Sequence, residues 1–339
     1  MLNYFANLSP QHRRAWVLIM LYIVFMIGLS WIDFGYNTAG QTIFRGVLLG
    51  MLVFLVASGL SLIFGLLDVL NFAQGAFLLV GAYFGYDVYT NLHSYLGIDD
   101  PSTTLRFISG FLAGIFAVGL IGAIIEIGLI RPLYERPIFQ IVLTFGLSSI
   151  FLDLVERGYG PDPKQPLDPP AFLEKSFTLF GQSLSYYRLF IIGIGLVMMV
   201  GVYLLLNRTR IGIIIRAGVQ DPEMVQALGI NVRRVFTLVF VIGAALAAVG
   251  GVALIPYQGA TLEMGNQYLI LAIVVVVIGG MGSYEGTALA SLVVGLTRAV
   301  AEQLSLEHFD APVLAETSIL MLMIVVLLVQ PSGLFGRGE

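Results

Sequence analysis

The chain has 339 residues, 58% of them hydrophobic and only 11% charged, with 17 Lys+Arg against 21 Asp+Glu. A soluble domain carries roughly 25% charged residues, and a mean hydropathy of +0.92 means more apolar surface than a folded sphere of this size hides from water, so a soluble globular enzyme is excluded. The absence of cysteine excludes disulfides, thiol catalysis and Cys-ligated metals, and a net charge of −4 gives no support to nucleic-acid binding.

A spanning helix needs about 20 mostly apolar residues. In chain order, such segments fall at about 15–32, 43–66, 72–90, 107–130, 138–155, 187–206, 235–256, 267–281, 285–301 and 315–330. The expected fold is an all-α polytopic membrane protein of about ten transmembrane helices, a single domain over 1–339. The first segment follows His12-Arg13-Arg14 without an Ala-x-Ala cleavage site, so it is read as a retained helix, with Trp16 and Trp31 as interfacial anchors. The third, eighth and ninth segments are interrupted by Gly-rich turns.

Lys and Arg set the orientation. An inner N-terminus and C-terminus place Arg13, Arg14, Arg131, Arg136, Arg208, Arg210, Arg216, Arg233, Arg234 and Arg337 inside. Arg45, Arg106, Arg157, Lys164, Lys175, Arg188 and Arg298 fall outside, four of them in a long outer loop, 156–188, rich in proline. With ten spans, helix six starts on the opposite side from helix one, so two five-helix halves would form inverted repeats.

Ionisable residues inside the spans are few. Glu126 lies four residues before the predicted helix end at Ile130, roughly 6 Å from the interface, so snorkelling toward Arg131 is favoured over a functional carboxylate. Asp153, Glu156 and Arg157 read as a solvated outer helix end, and Asp68 as part of a short inner turn. His12, His93 and His308 fall outside the spans. The chain has no Gly-x-Ser-x-Gly elbow, no His-Glu-x-x-His and no phosphate-binding Gly-x-x-x-x-Gly-Lys-Ser/Thr loop, so it does not hydrolyse ATP by that mechanism.

Two uncharged Gly-linked clusters remain within the apolar segments. One runs from Gly65 through Asp68, Asn71, Gln74 and Gly75; the other holds Gly279, Gly280, Gly282, Ser283 and Gly286. Non-helical backbone at membrane depth is tolerated only against protein or a watery cavity, and Asn71, Gln74, Gly75, Gly279, Gly280, Gly282 and Ser283 are the expected substrate path. Gly81-xxx-Gly85 and Gly110-xxx-Gly114 have instead the spacing that lets helices approach closely.

The inner loop 207–234 carries a capped helix. Asp221 is an N-cap, Pro222 suits the first turn, Glu223 faces the positive end of the dipole, and Gly229 stops the helix after about two turns. Met224, Val225 and Leu228 are placed to share an apolar face, framed by five arginines. Such a helix either lies on the bilayer surface or docks a cytoplasmic partner.

Several blocks, in order, resemble one family. They are Gly59 through Phe77 with Gly81-Ala-Tyr83, Arg131-Pro-Leu133, Thr209 through Gly212 with Arg216-Ala217, Asp221-Pro-Glu223 with Ala227 through Ile230, Val276 through Ser283, and Pro331 through Phe335. The chain resembles permease subunits of ATP-binding cassette importers for branched-chain amino acids, whose relatives carry urea and other amides. It departs from the family in having Asp68 and Gln74, where Gly and His are common. The resemblance implies import, with Asp221, Pro222, Glu223, Met224, Val225, Ala227, Leu228 and Gly229 as the ATPase-coupling helix. It also implies two cytoplasmic ATPase subunits that hold ATP and Mg, a second permease subunit, an extracytoplasmic solute-binding protein and a place in the bacterial inner membrane. No cofactor, metal or catalytic residue is expected on this chain. The rival readings are the same architecture carrying urea or short amides, an ion-coupled carrier using Glu126, an intramembrane enzyme, and a purely structural subunit.

Overall fold

The computed structural model describes residues 10–67, 70–97, 101–220, 222–308, 311 and 313–336. Asp68, Asp221 and Arg337 lie outside the described residues, as do the side chains of Arg13, Arg14, Trp16, Pro222 and Glu223.

The molecule is mostly helical. Helix α1 (Pro10–Leu67) kinks at Gly35, whose φ of 71° and ψ of 171° break the helix into two limbs. There follow α2 (Gln74–Leu96), α3 (Thr103–Ile125), a π-helical turn (Glu126–Ile130), a short 3-10 turn (Arg131–Leu133) and α4 (Pro137–Tyr159). After a short helix α5 (Ala171–Glu174) come β1 (Ser176–Leu179) and β2 (Gln182–Ser185), then α6 (Tyr186–Arg208), α7 (Arg210–Gln220) and α8 (Pro222–Ala227). Helices α9 (Val232–Gln258), α10 (Met264–Gly279), α11 (Tyr284–His308) and α12 (Val313–Val329) complete the chain.

Six helices among the described residues are long and apolar enough to cross a membrane: Gly35–Leu67, Thr103–Leu133, Pro137–Tyr159, Tyr186–Arg208, Val232–Gln258 and Tyr284–His308. Met264–Gly279 and Val313–Val329 are apolar but shorter. Each of the ten apolar segments read from the sequence falls largely on a helix, the first two on one helix, α1.

The chain is mostly helical, as the all-α class requires, with one small element of another kind. The loop 156–188 contains an antiparallel hairpin in which Ser176 pairs with Ser185 and Leu179 with Gln182. Its two-residue turn, Phe180-Gly181, has φ of 51° and 74°, the doubly positive backbone that matches strand twist. The Phe180 carbonyl accepts a 2.7 Å hydrogen bond from Gln41, and its ring fills the space left by the missing side chain of Gly40. Lys164 pairs with Ala260 in an isolated bridge, so the same loop also straps onto the end of α9.

The core is α1, α2, α9, α10 and α11, and glycine sets its spacing. Gly46 and Gly50 of α1 lie against the Leu296 and Ser291 backbone of α11, and Gly295 reciprocates against Gly46 and Gly50. The two Gly-xxx-Gly motifs are each other's partners: Gly85 meets Gly110, and Gly114 meets the Gly81 carbonyl. Lipid is as apolar as leucine, so such close packing, rather than a hydrophobic drive, holds helices together in a bilayer. Helices α4 and α6 face outward, exposing Ile138, Phe139, Val142, Phe145, Val197 and Val200.

Candidate functional site

Gln74, at the start of α2, is completely buried. Its side-chain N–H donates to the carbonyls of Gly243 (2.9 Å) on α9 and Val56 (3.4 Å) on α1. Val56 lies eleven residues before the end of α1, and Gly243 eleven residues after the start of α9. Both counts correspond to about 16 Å of helix, roughly halfway through a hydrocarbon core of about 30 Å. The first turn of α2 therefore begins deep between the ends of α1 and α9, where a helix start leaves backbone N–H groups without intrahelical partners.

Side chains fill that need. The Ala73 N–H donates to the Asn71 side chain (3.1 Å), and the Phe72 N–H donates to the Thr144 hydroxyl (3.2 Å) from α4. Asn71 also donates to the Gln74 side-chain oxygen (3.3 Å). Asn71, Gln74 and Thr144 are all buried. The approach that makes this possible is glycine-dependent: a Cβ on Gly59 would lie 2.2 Å from the Gly243 carbonyl and 2.3 Å from the Gln74 amide nitrogen.

A second helix start meets this one. Gly75 faces the Gly265 carbonyl and Leu269 of α10, while Gly265 faces the Gly75 carbonyl and Leu79 of α2. The contact is reciprocal, each glycine touching the other and the residue four positions beyond it.

The expected path residues thus fall in two places. Asn71, Gln74 and Gly75 sit together at the start of α2, between α1 and α9. Gly279, Gly280, Gly282 and Ser283 form a corner between α10 and α11, where Gly282 packs on Gly65, nine residues beyond Val56 and therefore about 13 Å further along α1. In that corner Gly280 (φ 99°) and Gly282 (φ 80°) hold backbone that a side chain would strain. The C-terminal segment closes it, with Leu334 and Phe335 N–H groups donating to the Ile278 and Gly279 carbonyls (2.8 and 2.9 Å).

In the loop 207–234, α8 stops where expected: Gly229 has φ 81°, and its N–H and that of Ile230 return to the Gln226 and Val225 carbonyls. Met224 and Leu228 are 60% and 72% exposed, one turn apart, whereas Val225 turns inward and is buried. Helix α7 precedes it and was missed in the sequence. Gly212 tucks it against the Leu205 and Leu206 carbonyls, and Arg216 hydrogen-bonds the Leu206 carbonyl and Asn207, closing the end of α6.

Glu126 also needs correction. It pairs with Arg131 as anticipated, but it does not snorkel to water: it is fully buried. The π turn carries it inward, where both Arg131 contacts (3.3 and 3.0 Å) and the Tyr134 hydroxyl (2.6 Å) engage its two oxygens. Burial, then the hydrogen bond to Glu126, raises the Tyr134 pKa above its ordinary value, so the phenol stays a donor. No cluster of His, Cys, Asp or Glu among the described residues is placed to hold a metal.

Residues 42–329 match the family model for the permease component of branched-chain amino acid transport systems. The chain is 30% identical over 304 residues to the high-affinity branched-chain amino acid transport system permease protein BraD of Pseudomonas aeruginosa, covering 88% of this chain and 96% of that one. It is 31% identical over 308 residues to LivH of Salmonella typhimurium, with the same coverage, and 27% identical over 297 residues to a probable LivH of Methanocaldococcus jannaschii, covering 84% and 89%. With its apolar helices and this match across most of its length, the chain is a multi-pass membrane protein that belongs to the family of branched-chain amino acid transport system permeases.

Proposed function

We propose that this chain is the membrane permease subunit of an ATP-binding cassette importer in the bacterial inner membrane, moving branched-chain or related hydrophobic amino acids by alternating access. Two cytoplasmic ATPases supply the drive and hold ATP and Mg; a second permease subunit and an extracytoplasmic solute-binding protein complete the assembly. The relatives' names support the solute class, and urea or short amides are the alternative cargo.

The architecture behind this reading is one domain of ten spans with both termini inside, arranged as two inverted five-helix halves. The reciprocal contact of Gly75 and Gly265 supports the inverted pairing, since a two-fold axis between them would relate α2 to α10. The substrate path runs past Asn71, Gln74 and Gly75 toward Gly279, Gly280, Gly282 and Ser283. In the conformation described, Asn71 and Gln74 are turned into protein and hydrogen-bonded, as a closed state of such a path requires.

The observation that carries the coupling role is the exposed Met224–Leu228 pair on a short helix ended by Gly229 in the loop 207–234. A rigid helix with an uncovered apolar side fits a groove on a partner, and we assign 221–229 to that contact. Leu228→Asp or Gly229→Pro should uncouple ATP hydrolysis from transport while the protein still reaches the membrane. Normal transport in both variants would sink the docking role and favour a helix lying on the bilayer. An ion-coupled carrier fits less well, because Glu126 is held by Arg131 and Tyr134 rather than facing a path.

A further inference from the structure

A series of buried and half-buried polar groups runs from α9 through the α3–α4 turn and α4 and returns to α9. It starts at Thr237, five residues after α9 begins at Val232. Arg131 donates to the Thr237 hydroxyl (2.6 Å) and is held by Glu126, whose other partner is Tyr134. Between Arg131 and Tyr134 lies Leu133, whose carbonyl accepts a 2.6 Å hydrogen bond from the buried Gln140 of α4. One turn along α4 from Gln140 stands Thr144, which accepts from the Phe72 N–H and approaches the Leu70 carbonyl (3.4 Å). Leu70 and Phe72 flank Asn71, which bonds Gln74, and Gln74 returns to α9 at Gly243.

Packing alone does not call for this arrangement. A fully buried carboxylate such as Glu126 costs stability unless it is paired and hydrogen-bonded, and an apolar side chain of similar shape serves packing as well or better. A π turn is also rare, and such single turns within helices are frequent at functional sites; here it aims Glu126 at Arg131. The result ties the first turns of α9 to the α3–α4 turn, and that turn, through α4, to the start of α2.

We infer that Glu126 and Arg131 are positioning residues for transport: they clamp the inner end of α9 to the α3–α4 turn, so that movement of the inner loop reaches the Asn71–Gln74 break through Gln140 and Thr144. This rests on the proposed role of the inner loop as the point where ATPase movement enters. Neither residue touches solute. The chain sets where the break sits relative to α9.

Spatial continuity does not by itself establish coupling; non-additivity between distant links does. Glu126→Gln removes the charge partner of the half-buried Arg131 at a fully buried position and risks the fold, so the links on either side of the ion pair are the ones to cut. Thr237→Val and Thr144→Val keep shape and remove only the hydroxyl; the serine variants restore it. The full complex in proteoliposomes is assayed for leucine uptake per ATP hydrolysed. Each valine variant should lower that ratio at least about fivefold, the lower end of usual coupling between sites, while ATP hydrolysis persists. The double variant should be no worse than the poorer single one, and both serine variants should recover the ratio. A ratio unchanged in either valine variant, losses that multiply in the double, or serine variants that fail to recover would each overturn the relay. Wild-type uptake that needs no ATP would sink the coupling reading and the relay together, whereas ATP-driven wild-type uptake with indifferent variants sinks the relay alone.

Discussion

Gly59→Ala puts one methyl group into one of the tightest points of the site at the start of α2. The new Cβ would lie 2.2 Å from the Gly243 carbonyl oxygen and 2.3 Å from the Gln74 amide nitrogen, against an ordinary contact of 3.4–4 Å. Helices α1 and α9 must therefore separate locally by more than 1 Å, because the Gly243 carbonyl is backbone and has no rotamer to escape into. Overpacking of this kind costs about 1–3 kcal/mol. The Gln74–Gly243 hydrogen bond, 2.9 Å as it stands, is lost with it, and side-chain hydrogen bonds in bilayers contribute about 0.6–1.7 kcal/mol. The total, about 1.6–4.7 kcal/mol, corresponds to a shift of about 14- to 2,300-fold in the folding equilibrium. Reversible unfolding in mixed micelles, read by tryptophan fluorescence, measures it. Gly193→Ala is the control, since nothing lies within 4 Å of a Cβ there. Gln74→Ala added to Gly59→Ala should recover part of the loss by removing one of the two clashes. Equal stability of Gly59→Ala and Gly193→Ala would refute the close approach of α1 and α9.

Other sites give contrasting expectations. The Ser61 hydroxyl is buried without a hydrogen-bond partner, so Ser61→Ala should leave stability unchanged or raise it by about 1 kcal/mol in the same unfolding assay. Gly280→Ala combines φ 99° with a Cβ 2.3 Å from the Gly336 backbone nitrogen; it should release the C-terminal segment, seen as faster proteolysis after Gln330, at a cost of about 1–3 kcal/mol. Tyr187→Phe removes the buried hydroxyl that donates to the Ala253 carbonyl (2.9 Å), and should lower stability by about 0.6–1.7 kcal/mol without changing expression.

Much of this was legible in the letters, because apolar runs of spanning length have few alternatives to helix in a bilayer. The same holds for Gly229, where a positive φ is the cheapest way to end α8, and for the two Gly-xxx-Gly motifs. The rest depends on contacts remote in sequence. The hairpin escaped because Phe180-Gly181 lacks the usual Asn-Gly or Asp-Gly signature; its positive φ at Phe180 is held by Gln41 and the cleft at Gly40. Counting residues from Glu126 to the helix end assumed α-helical geometry throughout, and the π turn at 126–130 broke that assumption by rotating the carboxylate inward. Helix α7 was hidden by two glycines in eleven residues, one of which, Gly212, is there so that the backbone of α6 can approach. Asn71 and Gln74 stood out in the sequence as polar groups among apolar ones, but their pairing with each other and with Gly243 is a property of the fold.

The transport reading meets its hardest test in proteoliposomes holding the complex that co-purifies with this chain. Radiolabelled leucine uptake would be followed with ATP and Mg inside or outside the vesicle lumen, and with the co-purifying solute-binding protein added on the opposite face. Uptake that requires ATP on the side of Leu228, and that stops in Leu228→Asp while ATP hydrolysis continues, is the expected result. Uptake by this chain alone, driven by an ion gradient without ATP, would contradict it and return attention to Glu126.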